Sequence, residues 1–531
     1  MSIGTSDSPF LNREGGWGVR LLLLLACLSV RLVALGSDPP SWLSWSTGLY
    51  TDEGFYTLDA RHEALFGTLA PGDFHDRLLS PLLSVMQQGV FQVFGVGIVQ
   101  ARSLSVLFSL LTVFVFWLGL RRAYNATVAD YGAVFLSLAP VFALYNRTAL
   151  QETPTVFWLV LAFTLWAYGA SESGNRAIAL LLLAGLSAAV ALVFKSLAAL
   201  AVPALVLGMR RIPSPGGFRQ PLPTAWRGVR VEALGFSEAL STCGEGGGLP
   251  PGGDSDGGEG RAGWGFSAAG LLIGLALYVC LWVAPHHAEL SRMTTYYRVH
   301  QIQPHSWYSV WLNIRRAVIG GQRGVFPYLL ATLPVLCGLA GWGVWRRNGH
   351  AADRFLSVWL AGGLLFCLLS SYAPSRYYVL FLPALAGLAA RGISEMGRNA
   401  RIVAAALFLL TSAGWYGLAG AQRSDSQRNA GSTLARILPP GSVLIGDFAP
   451  ILCVNTPFAA TTVQPGLANE DRPVERLKAT HVVVVRNARR WQDWWHSRYP
   501  SIVQPSHRVA TFDFGGARHY IVDVYAVKEA R

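Results

Sequence analysis

The sequence predicts an all-α polytopic membrane protein that ends in a small α/β domain. Three observations predict it. Hydrophobic residues make up 52% of the 531 and charged ones 14%, more apolar surface than one soluble core can bury. Apolar runs recur at lengths near the roughly 20 residues that cross a bilayer core of about 30 Å. From about residue 421 the chain turns polar, and short strand-like runs alternate with helix-like ones. A formal charge of +13 would point a soluble chain to nucleic acid. Here the arginines cluster at the ends of the apolar runs, as in the cytoplasmic loops of membrane proteins.

Candidate spans lie at 18–36, 100–120, 129–146, 154–170, 177–194, 264–284, 326–345, 354–372, 376–391 and 400–419, with a short one at 197–209. The first contains the lipobox-like Leu25-Ala26-Cys27, yet its apolar stretch continues to Leu35, too long for the core of a signal peptide, so it reads as a retained span. In segment 79–97, Gln87, Gln88 and Gln92 interrupt the apolar run, as in a helix lying in the interface. If that segment does not cross and the N-terminus is cytoplasmic, Arg121-Arg122, Arg176, Arg210-Arg211, Arg346-Arg347 and the loop with Arg391, Arg398 and Arg401 all fall inside. This choice gives about 11 spans. It puts the 37–99 loop, the 285–325 loop, Arg147, Glu152, Lys195 and Arg376 outside, together with the C-terminal segment.

Two domains follow. Residues 1–420 form the membrane domain, and 421–531 form a small extracytoplasmic α/β domain with strand-like runs at 442–445, 481–485 and 520–527 and helix-like ones at 428–437 and 489–498. Residues 210–263 make one long inner loop so rich in Gly, Pro and mixed charge that it cannot bury enough apolar surface to order itself. It reads as a disordered cytoplasmic linker. Its glycines lack the Lys-Ser/Thr ending of a phosphate-binding loop. The six cysteines form no pattern of disulfides or metal ligands.

The candidate chemistry begins at Asp52-Glu53, two adjacent carboxylates in a loop after the first span. A structural reading makes them a favourable pair at the N-terminus of a helix starting near Gly54; a catalytic reading makes them acid–base groups. Further along come His75-Asp76-Arg77, Ala101-Arg102, Arg147-Thr148-Ala149-Leu150-Gln151-Glu152-Thr153-Pro154, Phe194-Lys195-Ser196 and Ser375-Arg376-Tyr377-Tyr378.

This order closely resembles the polyprenyl-phosphate-dependent membrane glycosyltransferases with the type C fold, a large family that includes the protein O-mannosyltransferases and the bacterial aminoarabinose transferases acting on lipid A. The resemblance covers residues 17 to about 420. It rests above all on the Asp-Glu pair, the Arg-x-Ala-Leu-x-Glu-x-Pro run and the late Arg-Tyr-Tyr. It implies the type C fold, here with about 11 to 13 spans, in an inner (plasma) membrane.

The resemblance also implies that Asp52 is the general base taking the proton of the acceptor nucleophile, and that Glu53 orients Asp52 or the substrate. A carboxylate suits that role because a hydroxyl attacks well only as its proton leaves. The donor would be a polyprenyl-phosphate-linked sugar; the acceptor a lipid, glycan or protein. The phosphate leaving group requires cations, for which Arg77, Lys195 and Arg376 are the candidates. Many bacterial relatives have a Lys near the position of Arg77, so this chain departs there.

Each residue also has a structural reading. Arg77 would anchor its loop, Lys195 would snorkel from a span end, Arg376 would be an interfacial anchor, and Arg147 with Glu152 would form an ion pair rather than touch substrate. Tyr377 and Tyr378 could stack on a sugar or prenyl chain. His286-His287, His300 and His305 sit in a loop rich in Tyr and Trp, which an interfacial aromatic belt explains more simply than a metal. No cofactor is expected, although a divalent ion, which some members of the family use, stays open.

Two other functions compete, a transporter or flippase and a polymerase or ligase of surface polysaccharide. Proton-coupled transport needs ionisable residues near the bilayer midplane. Most candidate spans carry none in their interiors, Arg31 being the exception. The Asp-Glu pair separates the polymerase reading from transfer to an acceptor.

The topology is testable. A cysteine introduced at Thr51 is expected to label from outside with an impermeant thiol reagent, and one at Ser255 is not; the opposite pattern would overturn the site.

Overall fold

The apolar runs fold as helices, and the proline and glycine positions decide where those helices break. The computed structural model describes residues 25–207, 259–300, 306–346, 350–466, 468–486, 489–514 and 520–527. The linker expected at 210–263 therefore lies outside the described residues up to 258.

Helix α1 (25–32) ends the first apolar run. Four shorter helices follow in the segment read as a loop: α2 (Gly48–Tyr56), α3 (Leu58–Phe66), α4 (Asp76–Leu79) and α5 (Pro81–Phe94). Asp52 and Glu53 thus lie inside a helix that begins at Gly48, not in a loop or at the N-terminus of a helix near Gly54. At 14 residues, α5 is shorter than the roughly 20 needed to span, and its buried face includes Leu83, Gln87 and Phe91.

Then come α6 (Ile98–Ala123), α7 (Ala126–Leu138), α8 (Pro140–Tyr145), α9 (Glu152–Gly169), α10 (Gly174–Phe194) and α11 (Val202–Leu207). The second half of the membrane part holds α12 (Glu259–Tyr278), α13 (His287–His300), α14 (Trp307–Ile319), α15 (Val325–Thr332), α16 (Pro334–Trp345), α17 (Ala351–Leu369), α18 (Leu382–Ser394) and α19 (Arg398–Ala421). Among the described residues six helices are long and apolar enough to cross a membrane, or seven with α15 and α16 taken as one broken span.

That break corrects the single span read at 326–345. The two helices meet at 107°, because Pro334 has no N–H to continue the ladder and Leu333 leaves the helical region at φ −137°. Helices α10 and α12 pack backbone to backbone: a Cβ on Gly185 would strike the Ser267 carbonyl, and one on Gly270 the Leu182 carbonyl. Small residues at helix crossings allow that close approach in membranes. Leu272, Ile273 and Leu277 of α12 are exposed, as lipid contact requires. Cys27, Cys280, Cys337, Cys367 and Cys453 are free thiols.

The polar tail folds as α20 (Ser426–Ile437), β1 (Val443–Ile445), α21 (Ala449–Cys453), β2 (Ala459–Thr461), α22 (Pro473–Arg476), β3 (His481–Val485), α23 (Arg489–Arg498), β4 (Arg508–Phe514) and β5 (Tyr520–Ala526). The five strands form one sheet in the order β2-β1-β3-β5-β4. Strand β1 runs parallel to β2 and β3, while β5 is antiparallel to β3 and β4. The sequence anticipates β1, β3 and β5 but not β2 or β4.

This domain is laced to the segment between α1 and α6. The Asp38 carboxylate accepts from Ser424 Oγ and the Ser426 N–H, both at 2.7 Å. Arg61 donates to the carbonyls of Thr456 and Phe458, both at 2.6 Å. A Cβ on Gly54 would lie 2.8 Å from Ile451 Cα, so α2 rests directly on the backbone of α21.

The other side of α2 is held by Glu53. Its carboxylate, fully buried, receives Arg102 Nε at 2.8 Å, Arg102 Nη2 at 2.5 Å and the Ala149 N–H at 2.7 Å. Arg102 reaches on to the carbonyls of Leu35 at 2.8 Å and Ser37 at 2.6 Å. Breaking a buried pair by neutralising one partner leaves the other charge uncompensated, at a cost of about 3–5 kcal/mol. Glu53→Gln is therefore expected to lower the melting temperature of the purified protein markedly. An unchanged melting temperature would show that this pair does not hold α2 in place.

Candidate active site

The rotation of helix α2 separates the jobs of two adjacent carboxylates. Successive residues point about 100° apart around a helix, so while Glu53 faces Arg102, Asp52 faces the membrane helices and meets Arg376. Asp52 Oδ2 lies 2.7 Å from Arg376 Nη2. Arg376 Nε is 3.2 Å from Glu152 Oε1, and Lys195 Nζ is 2.7 Å from the same oxygen. Asp52, Arg376, Glu152 and Lys195 thus form one chain of alternating charge.

Local structure brings each of them there. Gly48 opens α2, and a Cβ on it would lie 2.6 Å from Arg376 Nη1 and 2.7 Å from Asp52 Oδ2; only glycine leaves room for the ion pair. Arg376 sits on a 3-10 turn, Ser375–Phe381, entered from extended Pro374. That turn is pinned because the Leu43 carbonyl accepts from Ser375 Oγ at 2.6 Å, the Tyr145 hydroxyl at 2.7 Å and the Tyr328 hydroxyl at 2.9 Å. Glu152 occupies the first turn of α9, where the helix dipole favours an acid. Lys195 caps the end of α10 in extended conformation, φ −158° and ψ 121°, which turns its side chain back into the protein.

Tyr377 faces both cations, its ring centroid 4.5 Å from Lys195 Nζ and 5.2 Å from Arg376 Cζ. Beyond it lies an apolar cavity whose walls include Leu159, Leu197, Trp359, Phe366 and Phe381. Lys195 and Arg376 are both buried, so neither is a snorkelling surface group. Glu152 Oε2 is enclosed without a hydrogen-bond partner among the described residues. The side chain of Asp52 stays 22% exposed, so the base candidate is the member of the chain that an incoming group can reach. Burial holds the Asp52 carboxyl above its ordinary value, partly opposed by the positive charge of Arg376.

Asp52, Glu152, Lys195, Arg376 and Tyr377 are therefore brought together, while the other residues singled out from the sequence lie elsewhere. Glu53 makes its bonds to Arg102 and Ala149 rather than to Asp52. Arg77 pairs with Glu63 and donates to Gln88 Oε1 at 2.6 Å, tying α4 to α3 and α5. Arg147 does not pair with Glu152; its Nη2 donates to the carbonyls of Val33 at 2.7 Å and Ala34 at 2.8 Å. Tyr378 is buried, its hydroxyl donating to the Ala373 carbonyl at 3.3 Å and its ring against Tyr328 and Phe381. Arg31, the ionisable residue that kept transport in view, donates to Ser109 Oγ at 2.7 Å and the Ser137 carbonyl at 3.1 Å.

Asp447 escaped the sequence reading. It follows β1 in the C-terminal domain, is buried, and has Oδ2 enclosed without a hydrogen-bond partner among the described residues. The nearby charge of Asp52 acts on it. A single aspartate after a short apolar run gives no signal of such a neighbour. Among the described residues no three His, Cys, Asp or Glu side chains gather as a metal site.

Comparison with known proteins bears on the fold that carries these residues. Residues 79–223 match the family model described as dolichyl-phosphate-mannose-protein mannosyltransferase; the matched stretch includes Glu152 and Lys195. No curated protein sequence matches the chain. In fold it is similar to ArnT from Cupriavidus metallidurans bound to undecaprenyl phosphate, with a TM-score of 0.59 at 14% identity over 96% of this chain and 98% of that one. It is also similar to the oligosaccharyltransferase AglB from Archaeoglobus fulgidus in complex with an inhibitory peptide and a dolichol-phosphate, with a TM-score of 0.53 at 13% identity over 90% of this chain and 70% of that one. A second Archaeoglobus fulgidus oligosaccharyltransferase structure, in complex with zinc and sulfate, gives a TM-score of 0.54 at 12% identity over 88% and 68%. Residues 79–223 thus match a mannosyltransferase family model, and along nearly its whole length the chain shares the type C fold of these solved membrane glycosyltransferases.

Proposed function

We propose that the protein transfers a sugar from a polyprenyl-phosphate donor to an acceptor on the extracytoplasmic side of the inner (plasma) membrane, by direct displacement with inversion. The observation that carries this reading is the Asp52–Arg376–Glu152–Lys195 chain. It puts a reachable carboxylate next to two buried cations at the edge of an apolar cavity. A base and a phosphate cradle are what such a transfer needs.

The acceptor hydroxyl gives its proton to Asp52 as its oxygen bonds to the anomeric carbon of the sugar. The bond from that carbon to the phosphate oxygen breaks, and polyprenyl phosphate leaves with the electron pair. Charge grows on the departing phosphate, where Lys195 and Arg376 oppose it in a site largely closed to water. Tyr377 lies over both cations and borders the apolar cavity, suited to the sugar or the first prenyl units.

The two cations are already balanced by the two carboxylates. A donor phosphate that engages Arg376 draws it from Asp52, which then loses its counter-charge and becomes a stronger base. Donor binding thereby prepares the nucleophile's partner. A lipid-linked-sugar transporter would need no such base, and the bonds of Arg31 to α6 and α7 give that residue a structural role.

Two measurements test the reading. Asp52→Asn keeps size while removing the proton acceptor, so transfer is expected to fall by about 10² or more, with binding of the donor lipid nearly unchanged. Lys195→Ala and Arg376→Ala are expected to lose donor binding instead. Transfer at the parental rate by Asp52→Asn would remove Asp52 as the base. The pH profile carries a sign as well. Burial raises Asp52, so its working, ionised form disappears as pH falls through a value above the usual carboxylate pKa of about 4. Activity should therefore rise with pH across that value.

A further inference from the structure

The sheet of the C-terminal domain has one strand where its winding reverses. From β1 the chain goes to β2 on one side and then returns to β3 on the other, both parallel to β1. In open α/β sheets, ligands bind in the crevice outside the carboxyl ends of the strands at such a point. Here β1 ends at Ile445, and Gly446 turns the chain at φ +140°, against the Val483 carbonyl. The next residue is Asp447.

Its surroundings are those of a site rather than of a surface loop. Asp447 is 8% exposed, and its Oδ2 is enclosed without a hydrogen-bond partner among the described residues. A buried carboxyl oxygen left unbonded costs free energy, which a bound ligand would recover. Helix α2 covers this end of the sheet. Tyr50 packs on Phe514 and Tyr520, the same two rings that Phe448 meets, and Gly54 rests on Ile451. Asp52, on that helix between Tyr50 and Gly54, is the charged group that acts on Asp447. Burial, with the charge of Asp52 added, holds the Asp447 carboxyl well above the usual carboxylate range. A carboxyl held this way is more readily protonated, and in its protonated form it donates a hydrogen bond.

We propose that Asp447 is a substrate-positioning residue of the acceptor site: from the carboxyl end of β1 it hydrogen-bonds a hydroxyl-bearing acceptor in the crevice beside α2 and holds the reacting group against Asp52. The inference rests on the transfer reaction proposed above and gives the C-terminal domain its part in it. Lys195 and Arg376 serve the donor from the membrane part, and Asp447 serves the acceptor from the C-terminal domain.

The test separates acceptor from donor. Acceptor is supplied as a detergent extract of cells lacking the protein, with a radiolabelled polyprenyl-phosphate sugar as donor, and binding of undecaprenyl phosphate is read separately by native mass spectrometry. Asp447→Ala is expected to raise the KM for the extract about tenfold or more, with kcat near the parental value and undecaprenyl phosphate binding unchanged. Asp447→Asn still donates a hydrogen bond and is expected to stay within about threefold of the parent. Asp447→Leu, apolar and similar in size, gives the same reading should the alanine variant not fold. A parental KM in the alanine or leucine variant overturns the proposal, as does loss of undecaprenyl phosphate binding in step with transfer, which would mark a structural role. If the parent protein itself transfers no sugar, the reaction falls and Asp447's role falls with it.

Discussion

The buried pair of Glu53 and Arg102 fixes where everything else at the site can be. Two charges taken out of water are tolerated only with good geometry and with their remaining hydrogen-bonding capacity used. Here the contact is a two-toothed fork, Arg102 spends further donors on Leu35 and Ser37, and Glu53 also takes the Ala149 N–H. The pair therefore locks the rotation of α2 against α6 and against the turn that leads into α9. Asp52 is the neighbouring residue on the same helix, so its direction is set by that lock. The two adjacent acids divide the work, one holding the helix and the other left free to react.

The same lock lets the proposed base sit beside the cations proposed for the donor phosphate. Asp52 and Lys195 never touch, but both are linked through Arg376 and Glu152. Glu152 keeps the cations from repelling each other while its second oxygen stays unpartnered among the described residues. The arrangement is electrically neutral before a donor arrives and gains one negative charge when a phosphodiester enters. In the transfer proposed above, that added charge has two cations to meet, and the member released from pairing would be the base.

Much of this was legible in the chain, and what was not has physical causes. Apolar runs gave the helices, since a bilayer imposes their length, and Pro334 sits where the expected span 326–345 is broken. Residue type, membrane side and the family resemblance pointed to Asp52, Glu152, Lys195, Arg376 and Tyr377. The same reasoning could not separate them from Arg77, Arg147 and Tyr378, because reach depends on how the helices cross. Arg77 and Arg147 are satisfied by Glu63, Gln88 and two backbone carbonyls within their own neighbourhood. Strand β2 has only three residues, and β4 is largely exposed, so neither shows the apolar pattern of a buried strand. Asp447 stood alone in sequence and gained its meaning only from a helix nearly four hundred positions earlier.

That long-range meeting bears on how such a protein could change its substrate. Helix α2 is shared, with one face on the membrane helices through Glu53 and Arg102 and another on the backbone of α21 through Gly54. The cations and the apolar cavity belong to the membrane part, whereas the crevice at the end of β1 belongs to the C-terminal domain. Lys195 and Arg376 pair with Glu152 in the membrane part, so on the proposed reading changes at the end of β1 would alter the acceptor's surroundings while leaving those pairs in place. The constraint on such replacement is mechanical. Any new domain must still present a backbone flat enough for Gly54, because a displaced α2 would carry Asp52 away from Arg376.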